Sequence, residues 1–235
     1  MSKRVIDCKR IEDKYIISYD KVLLLQNAFN KVLNRDIHSK EKSYVVRSLY
    51  FDSINNRDFQ TKLAGTEERQ KIRIRTYDIK SNKCKLEIKK KQGALQEKIS
   101  IWITKEDAKE LIKGNYGVLI KYFHNSKEAI ELYTTMQLYC YRPVVLVEYD
   151  RLAYTYPVND TRITFDMNVR SSESNLKLFE DCPLTPILDK VAILEVKYNG
   201  DLTDYVSRMI KAYEIDQVAI SKYCESRKIF LEFSY

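Results

Sequence analysis

The chain has 235 residues, 44% of them hydrophobic, and a formal net charge of +8. That length and apolar share allow one large β-rich domain with a sizeable core, and the count of 5 glycines and 4 prolines leaves little room for long disordered linkers. The positive surplus points to an anionic partner: nucleic acid, phosphate compounds or a membrane surface.

Cys8, Cys84, Cys140, Cys182 and Cys224 are scattered and show no CxxC pairing, which suits free thiols and excludes a zinc cage. His38 and His124 are the only histidines, so a histidine-rich metal site is excluded. The opening MSKRVIDCKRIEDKY has no apolar core of a secretory signal, and no run reaches bilayer-spanning length. The expected location is cytoplasmic.

In chain order, Arg10 to Tyr19 reads as a strand with Arg10, Glu12 and Lys14 on one face. Asp20 is an N-cap for a helix whose apolar side is Val22, Leu25, Phe29, Val32 and Leu33. Tyr44 to Asp52 is a second strand, and the polar stretch from Ser53 to Thr61 a short helical turn. Arg69 to Lys91 (RQKIRIRTYDIKSNKCKLEIKKK) predicts a hairpin through Asp78–Lys83. One of its faces holds Arg69, Lys71, Arg73, Arg75, Lys85, Glu87, Lys89 and Lys91; the other holds Ile72, Ile74, Leu86 and Ile88.

Gln96 to Ile103 is a further strand, and Thr104 with Asp107 caps a helix that Gly114 ends. Ser126 to Tyr139 reads as a helix, Val144 to Tyr154 as a long strand with Glu148 and Asp150 on one face, and Arg162 to Asp166 as another strand. Ser171 to Pro186 is the loosest stretch and is expected to be a mobile loop. Ala192 to Tyr198 is the last strong strand, with Glu195 and Lys197 sharing a face. Asp201 to Tyr213 is a helix with an apolar stripe, and Ser221, Lys222 and Tyr223 follow in the tail.

About eight strands joined by hairpins and short helices predict an α+β fold with a mostly antiparallel sheet in a single domain over 1–235. Closing the sheet into a barrel would remove its edges, with the charged faces around a wet lumen and the apolar faces against outer helices. Like charges on neighbouring strands repel, by about 2 kcal/mol per pair at roughly 7 Å and an effective dielectric of about 20. A bound polyanion offsets that repulsion. Arg73 and Arg75 are the strongest candidates, because guanidinium forks match phosphate oxygens.

Glu195 sits mid-strand between Leu194 and Val196, a costly place for an unpaired carboxylate. A metal ion or a lysine partner would each account for it. Glu87, Glu148, Asp150 and Asp166 are second-rank carboxylates, and such hard oxygens suit Mg²⁺ or Mn²⁺ bridging to phosphates. No GxxxxGK[ST] loop is present, nor a serine or cysteine nucleophile motif.

Several stretches together carry a family resemblance: RIEDKY (10–15), VRSLYFD (46–52), Lys62 to Gly65 leading into KIRIRTY (71–77), LEIKKK (86–91), VEYDRLAY (147–154), RITFD (162–166), LEVKY (194–198) and SKY (221–223). In this order the chain resembles the catalytic domain of the vacuolar transporter chaperone (VTC) polyphosphate polymerases, in the triphosphate tunnel metalloenzyme superfamily. The resemblance implies an eight-stranded antiparallel tunnel and metal-dependent transfer of the ATP γ-phosphate to a growing polyphosphate chain.

It places Lys14, Lys62, Arg73, Arg75, Lys89, Lys98, Arg151 and Lys222 on phosphate binding, with Arg73, Arg75, Lys89 and Lys222 at the chemistry. It places Glu195 on the metal, Mn²⁺ or Mg²⁺. Arg162, Lys197, Ser221, Glu87, Glu148 and Asp166 line the same faces. Two features depart from the family pattern: Leu146 stands near a position where eukaryotic relatives carry an arginine, and Lys62 stands where arginine is also used. The fused phosphate-sensing and membrane-spanning parts of those relatives are missing, so any membrane association would come from a partner chain. The implied partners are ATP and inorganic polyphosphate or pyrophosphate, with no nucleic acid. The rival readings are an inorganic or nucleoside triphosphatase of the same superfamily and a non-catalytic polyphosphate-binding module.

Overall fold

A computed structural model describes residues 10–39, 42–93 and 95–232; Cys8 and the opening segment lie outside them. In chain order the elements are β1 (Arg10–Ser18), α1 (Tyr19–Phe29), β2 (Asn34–Arg35), β3 (Tyr44–Asp52), α2 (Arg57–Leu63), β4 (Glu68–Thr76), β5 (Lys83–Gln92) and β6 (Leu95–Thr104). Then come α3 (Lys105–Ile112), α4 (Lys127–Leu138), β7 (Arg142–Tyr156), β8 (Thr161–Ser172), β9 (Thr185–Pro186), β10 (Val191–Asn199), α5 (Asp204–Lys211) and α6 (Lys222–Glu232). Short 3₁₀ turns lie at Ile37–Ser39, Tyr116–Tyr122 and Val158–Asp160.

The fold is mixed α+β around a large sheet whose hydrogen-bonded order is β1-β10-β8-β7-β3-β4-β5-β6. β2 pairs beside β7 and β9 beside β8. This corrects the expected eight-stranded barrel. Among the described residues there are ten strands, because β2 and β9 are two-residue pairings too short to leave any alternation in the sequence. Among the described residues no ladder joins β1 to β6, the two ends of the path.

The chain divides into two compact units. The first comprises Met1–Tyr44, Asp150–Val169 and Leu188–Ile220. Its β1 pairs antiparallel with β10 from Arg10↔Asn199 to Ser18↔Val191, and β10 pairs with β8. The inward positions of these strands (Ile17, Ile163, Phe165, Leu194, Val196) pack with Val22, Leu25 and Phe29 of α1 and Val206 and Ile210 of α5. Phe29 meets Tyr154 edge-on at 5.6 Å between ring centres, a geometry that aromatic quadrupoles favour. The predicted helix over 201–213 is shorter. Gly200 turns with φ +67° and Thr203 takes the cap position, so Leu202 packs on the core from outside the helix.

The second unit comprises Val45–Tyr149, Arg170–Ile187 and Ser221–Tyr235. β3, β4, β5 and β6 form consecutive antiparallel ladders. Ile72, Ile74, Leu86, Ile88, Ile99, Ile101 and Ile103 cover one face with Ala108 and Leu111 of α3 and Ala129, Leu132 and Met136 of α4. The predicted Thr104 cap is present, its hydroxyl accepting from Asp107 N at 3.1 Å, and the Ser126 hydroxyl likewise accepts from Ala129 N at 3.3 Å. In the first unit the expected Asp20 cap is corrected: α1 starts at Tyr19, so Asp20 lies in its first turn and Ser18 takes the cap position.

Two expectations change in this unit. The 171–186 stretch is pinned by buried Leu178 and by Arg47, which donates to the Glu180 carbonyl at 2.7 Å. The tail after Ser221 is the helix α6, which the hydrophobic pattern did not announce.

Candidate functional site

Strand alternation puts most cations of β4, β5 and β6 on one face. β4 supplies Arg69, Lys71, Arg73 and Arg75; opposite them on β5 stand Lys91, Lys89, Glu87 and Lys85. On β6, Lys98 stands opposite Lys89, Ser100 opposite Glu87 and Trp102 opposite Lys85. Lys71, Lys89 and Lys98 therefore form one row across three strands, and Glu87 is the acid in the next row. The other face of the same strands is the apolar core, so the cations cannot be turned inward without exposing isoleucines.

Each arginine is held by part of its fork. Arg73 donates from Nε to Glu87 Oε2 at 2.7 Å and from Nη1 to the Tyr50 hydroxyl at 3.1 Å. Arg75 donates from Nε to the Ser48 hydroxyl at 3.1 Å and from Nη2 to the Tyr149 hydroxyl at 3.1 Å. That fixes both guanidinium planes while using two edges of each, which is the preorganisation that oxyanion recognition needs.

Lys98 meets the second oxygen of Glu87 at 2.6 Å. Burial would raise the Glu87 carboxyl, but Arg73, Arg75 and Lys98 outweigh it and hold the group well below the usual carboxylate range. Burial would also raise the Tyr50 phenol, yet Arg73, Arg75 and Lys71 lower it to about 8.

A buried hydrogen-bond network anchors the helices that carry the remaining residues. The Asp52 carboxylate accepts from Ser53 N at 2.7 Å, Asp58 N at 2.9 Å and Phe59 N at 3.0 Å, which satisfies the open N-terminus of α2. It also accepts from the Tyr223 hydroxyl, tying α6 to the same point. Lys62 lies half-buried in the last turn of α2. At the start of α6, the Ser221 hydroxyl accepts from Lys71 Nζ at 2.6 Å, and Lys222 Nζ lies 4.7 Å from the centre of the Tyr149 ring. Arg73, Arg75, Lys89, Lys98, Ser221 and Lys222 thus belong to one unit.

The first unit holds its own charged quartet. Lys14 lies opposite Glu195 and Glu12 opposite Lys197 on the β1–β10 ladder. Lys14 reaches Glu12 at 2.8 Å and Glu195 at 3.7 Å, while Lys197 pairs with Glu195 and reaches Glu12 at 3.8 Å. The lysine partners weighed for Glu195 are therefore present. Arg151 makes a two-pronged pair with Asp166, at 2.6 and 2.8 Å, and Asp166 is fully buried. Asp166 is thereby committed to arginine. Arg162 lies opposite Lys197 on the same face and meets Asp36 at 3.1 Å.

Glu148 does not join the cationic face. It alternates with Tyr149 on β7 and pairs with Arg47 at 2.8 Å and with Arg170. Tyr149 holds the side that meets Arg75, so Glu148 points away from it.

The sequence model of the VTC domain family matches residues 9–231. The chain belongs to this family. Among curated proteins, none matches. A solved protein from Bacillus halodurans, provisionally described as an adenylate cyclase, is similar over 90% of this chain and 93% of its own, with 14% identity and a TM-score of 0.53. That likeness shows a shared fold. A protein from Pyrococcus horikoshii is 16% identical over 95% of this chain and 99% of its own, with a TM-score of 0.47.

In this VTC domain the sequence pattern missed Tyr50, Lys71, Ser48 and Tyr149 as parts of the site. Lys71 was legible as a cation on the hairpin face, but its contact with Ser221 was not. Tyr50 and Ser48 share a strand face with Asp52 in SLYFD, which looks like ordinary strand chemistry. The divalent ion that the family implies fits the first unit's donors. Glu195 and Glu12 offer hard carboxylate oxygens on adjacent strands, and the hydroxyl of Thr164, opposite Glu195, is buried without a hydrogen-bond partner among the described residues. No set of three or more His, Cys, Asp or Glu side chains forms a cage among the described residues.

Proposed function

We propose that this VTC domain is a phosphotransferase that moves the ATP γ-phosphate onto inorganic polyphosphate. The observation that carries the reading is the row-by-row cationic face of the second unit, held open by Tyr50, Ser48 and Tyr149 and countered across β4, β5 and β6 by Glu87. Repulsion on that scale is relieved by a chain of phosphates.

Arg73, Arg75, Lys89 and Lys222 stabilise charge on the transferring group, and Lys62, Lys98 and Ser221 bind neighbouring phosphates. In the first unit, Lys14, Arg151, Arg162 and Lys197 serve phosphate binding and Glu195, with Glu12, would hold Mn²⁺ or Mg²⁺. When bound, such an ion neutralises phosphate charge and orients the oxygens. A terminal oxygen of the acceptor chain attacks the γ-phosphorus in line; the bond to the β–γ bridging oxygen breaks, ADP departs, and the polymer gains one phosphate. The reaction asks the protein for position and charge rather than a nucleophile. No helix among the described residues is long and apolar enough to cross a membrane.

The second reading is a triphosphatase that uses the same face with water as acceptor. Incubation with ATP and Mn²⁺ separates the two: long polyphosphate with little free phosphate supports the polymerase, free phosphate alone supports the hydrolase, and neither product leaves a binding module. Arg73→Ala and Glu195→Gln are both expected to abolish turnover in a folded protein; full activity in either overturns the site assignment.

A further inference from the structure

Tyr50 lies beside three cations of the site, Arg73, Arg75 and Lys71. It stands opposite Arg73 on the β3–β4 ladder and is buried, and its ring stacks on Tyr223 at 5.2 Å and 28°. Its oxygen accepts from Arg73, and among the described residues nothing accepts its proton. A buried hydroxyl with an unspent proton beside arginines calls for an anionic acceptor.

We propose that Tyr50 is a phosphate-binding residue in its neutral form, its hydroxyl donating to a phosphate oxygen held by Arg73 and Arg75. The inference rests on the phosphate reading above and adds a residue, and a pH limit, to it. The charged and titratable groups around the phenol are Lys71, Arg73 and Arg75 from β4, Glu87 from β5 behind Arg73, Tyr149 from β7, which accepts from Arg75 and acts on Arg73, Tyr223 from α6, and Asp52 on its own strand, which takes the Tyr223 proton.

The three cations lower the phenol to about 8 against the opposing effect of burial. Below that pH the group donates a hydrogen bond. Above it the donor is gone and a phenolate faces the phosphate, so affinity falls. Bound phosphate in turn keeps the proton on Tyr50, which raises its titration point.

The test is calorimetric titration of inorganic tripolyphosphate into wild type, Tyr50→Phe and Arg73→Ala from about pH 7 to about pH 9.5, alongside the tyrosinate absorbance difference between wild type and Tyr50→Phe. Titration of the ligand itself is common to all three proteins and cancels in the comparison. The expected result is that Tyr50→Phe binds about tenfold more weakly than wild type at pH 7 and that the gap closes above the Tyr50 transition. Tripolyphosphate is expected to move that transition upward. Equal affinity of wild type and Tyr50→Phe at every pH, or a constant gap across the range, overturns the proposal while leaving the phosphate site standing, provided Arg73→Ala loses binding. Failure of wild type itself to bind overturns both the phosphate reading and this inference.

Discussion

Glu87 separates Arg73 from Lys98 and meets both, with 2% of its surface exposed. Replacing it with Gln takes the buried counter-charge away from half-buried Arg73 and exposed Lys98, a change expected to cost about 3 kcal/mol, the lower end for breaking a buried pair. For a chain of this size that is roughly a 10 °C loss in melting temperature, read by calorimetry. Its carboxyl is depressed in the fold, so the stability it provides is present above the ordinary glutamate range and is lost as pH falls well below it.

Asp58 behaves the opposite way. Burial and the adjacent Asp52 charge push its carboxyl up to about 8, and the Tyr141 hydroxyl lies 2.9 Å from each of its oxygens. The unfolded chain gives up this proton near pH 4, so the associated stability is complete below about 4 and falls as pH rises through about 8. Asp58→Asn removes the titration, and its melting temperature is expected to fall less between about pH 5 and about pH 8 than that of wild type. A parallel decline in both proteins would contradict this reading of the pair.

At the scale of elements, Asp52 links β3, α2 and α6. Its carboxylate takes three backbone N–H groups and the Tyr223 hydroxyl. Asp52→Ala is expected to cost about 3 kcal/mol in chemical denaturation, more than a single cap, because it also strands Tyr223. A loss under about 1 kcal/mol would show that α2 and α6 are held elsewhere.

The β4–β5 hairpin was readable from its sequence because apolar and charged residues alternate from Lys71 to Arg75 and from Cys84 to Lys89, and register follows once one face must be buried. α6 was not readable, since it buries Ser226 and Arg227 beside Tyr223 and Cys224, so its inner face has no apolar period. The side taken by Glu148 was hidden for a related reason. Alternation on β7 separates Glu148 from Tyr149, but only Arg47 and Arg170 reveal which side holds the acid. The pairing of Lys14 with both Glu12 and Glu195 was equally out of reach, because it depends on the β1–β10 register between distant segments.

For the whole molecule, a net charge of +8 coexists with many locally paired acids. The imbalance is concentrated on the β4, β5 and β6 face, where the rows of like charge weaken the fold until an anion arrives. Polyphosphate should therefore raise the melting temperature of wild type, by about 3 kcal/mol in stability at a concentration near 100 times its dissociation constant. The gain should shrink as salt screens the ladder. A salt-insensitive shift would place the binding surface away from these strands.

The most direct check on the cationic face is the affinity for inorganic tripolyphosphate of wild type against Arg75→Ala, each shown to be folded by circular dichroism. Wild type should bind, and the variant should bind about 100-fold more weakly, having lost a charge-assisted fork that Ser48 and Tyr149 hold in place. Equal affinities in the two proteins would contradict the assignment of phosphate to this face.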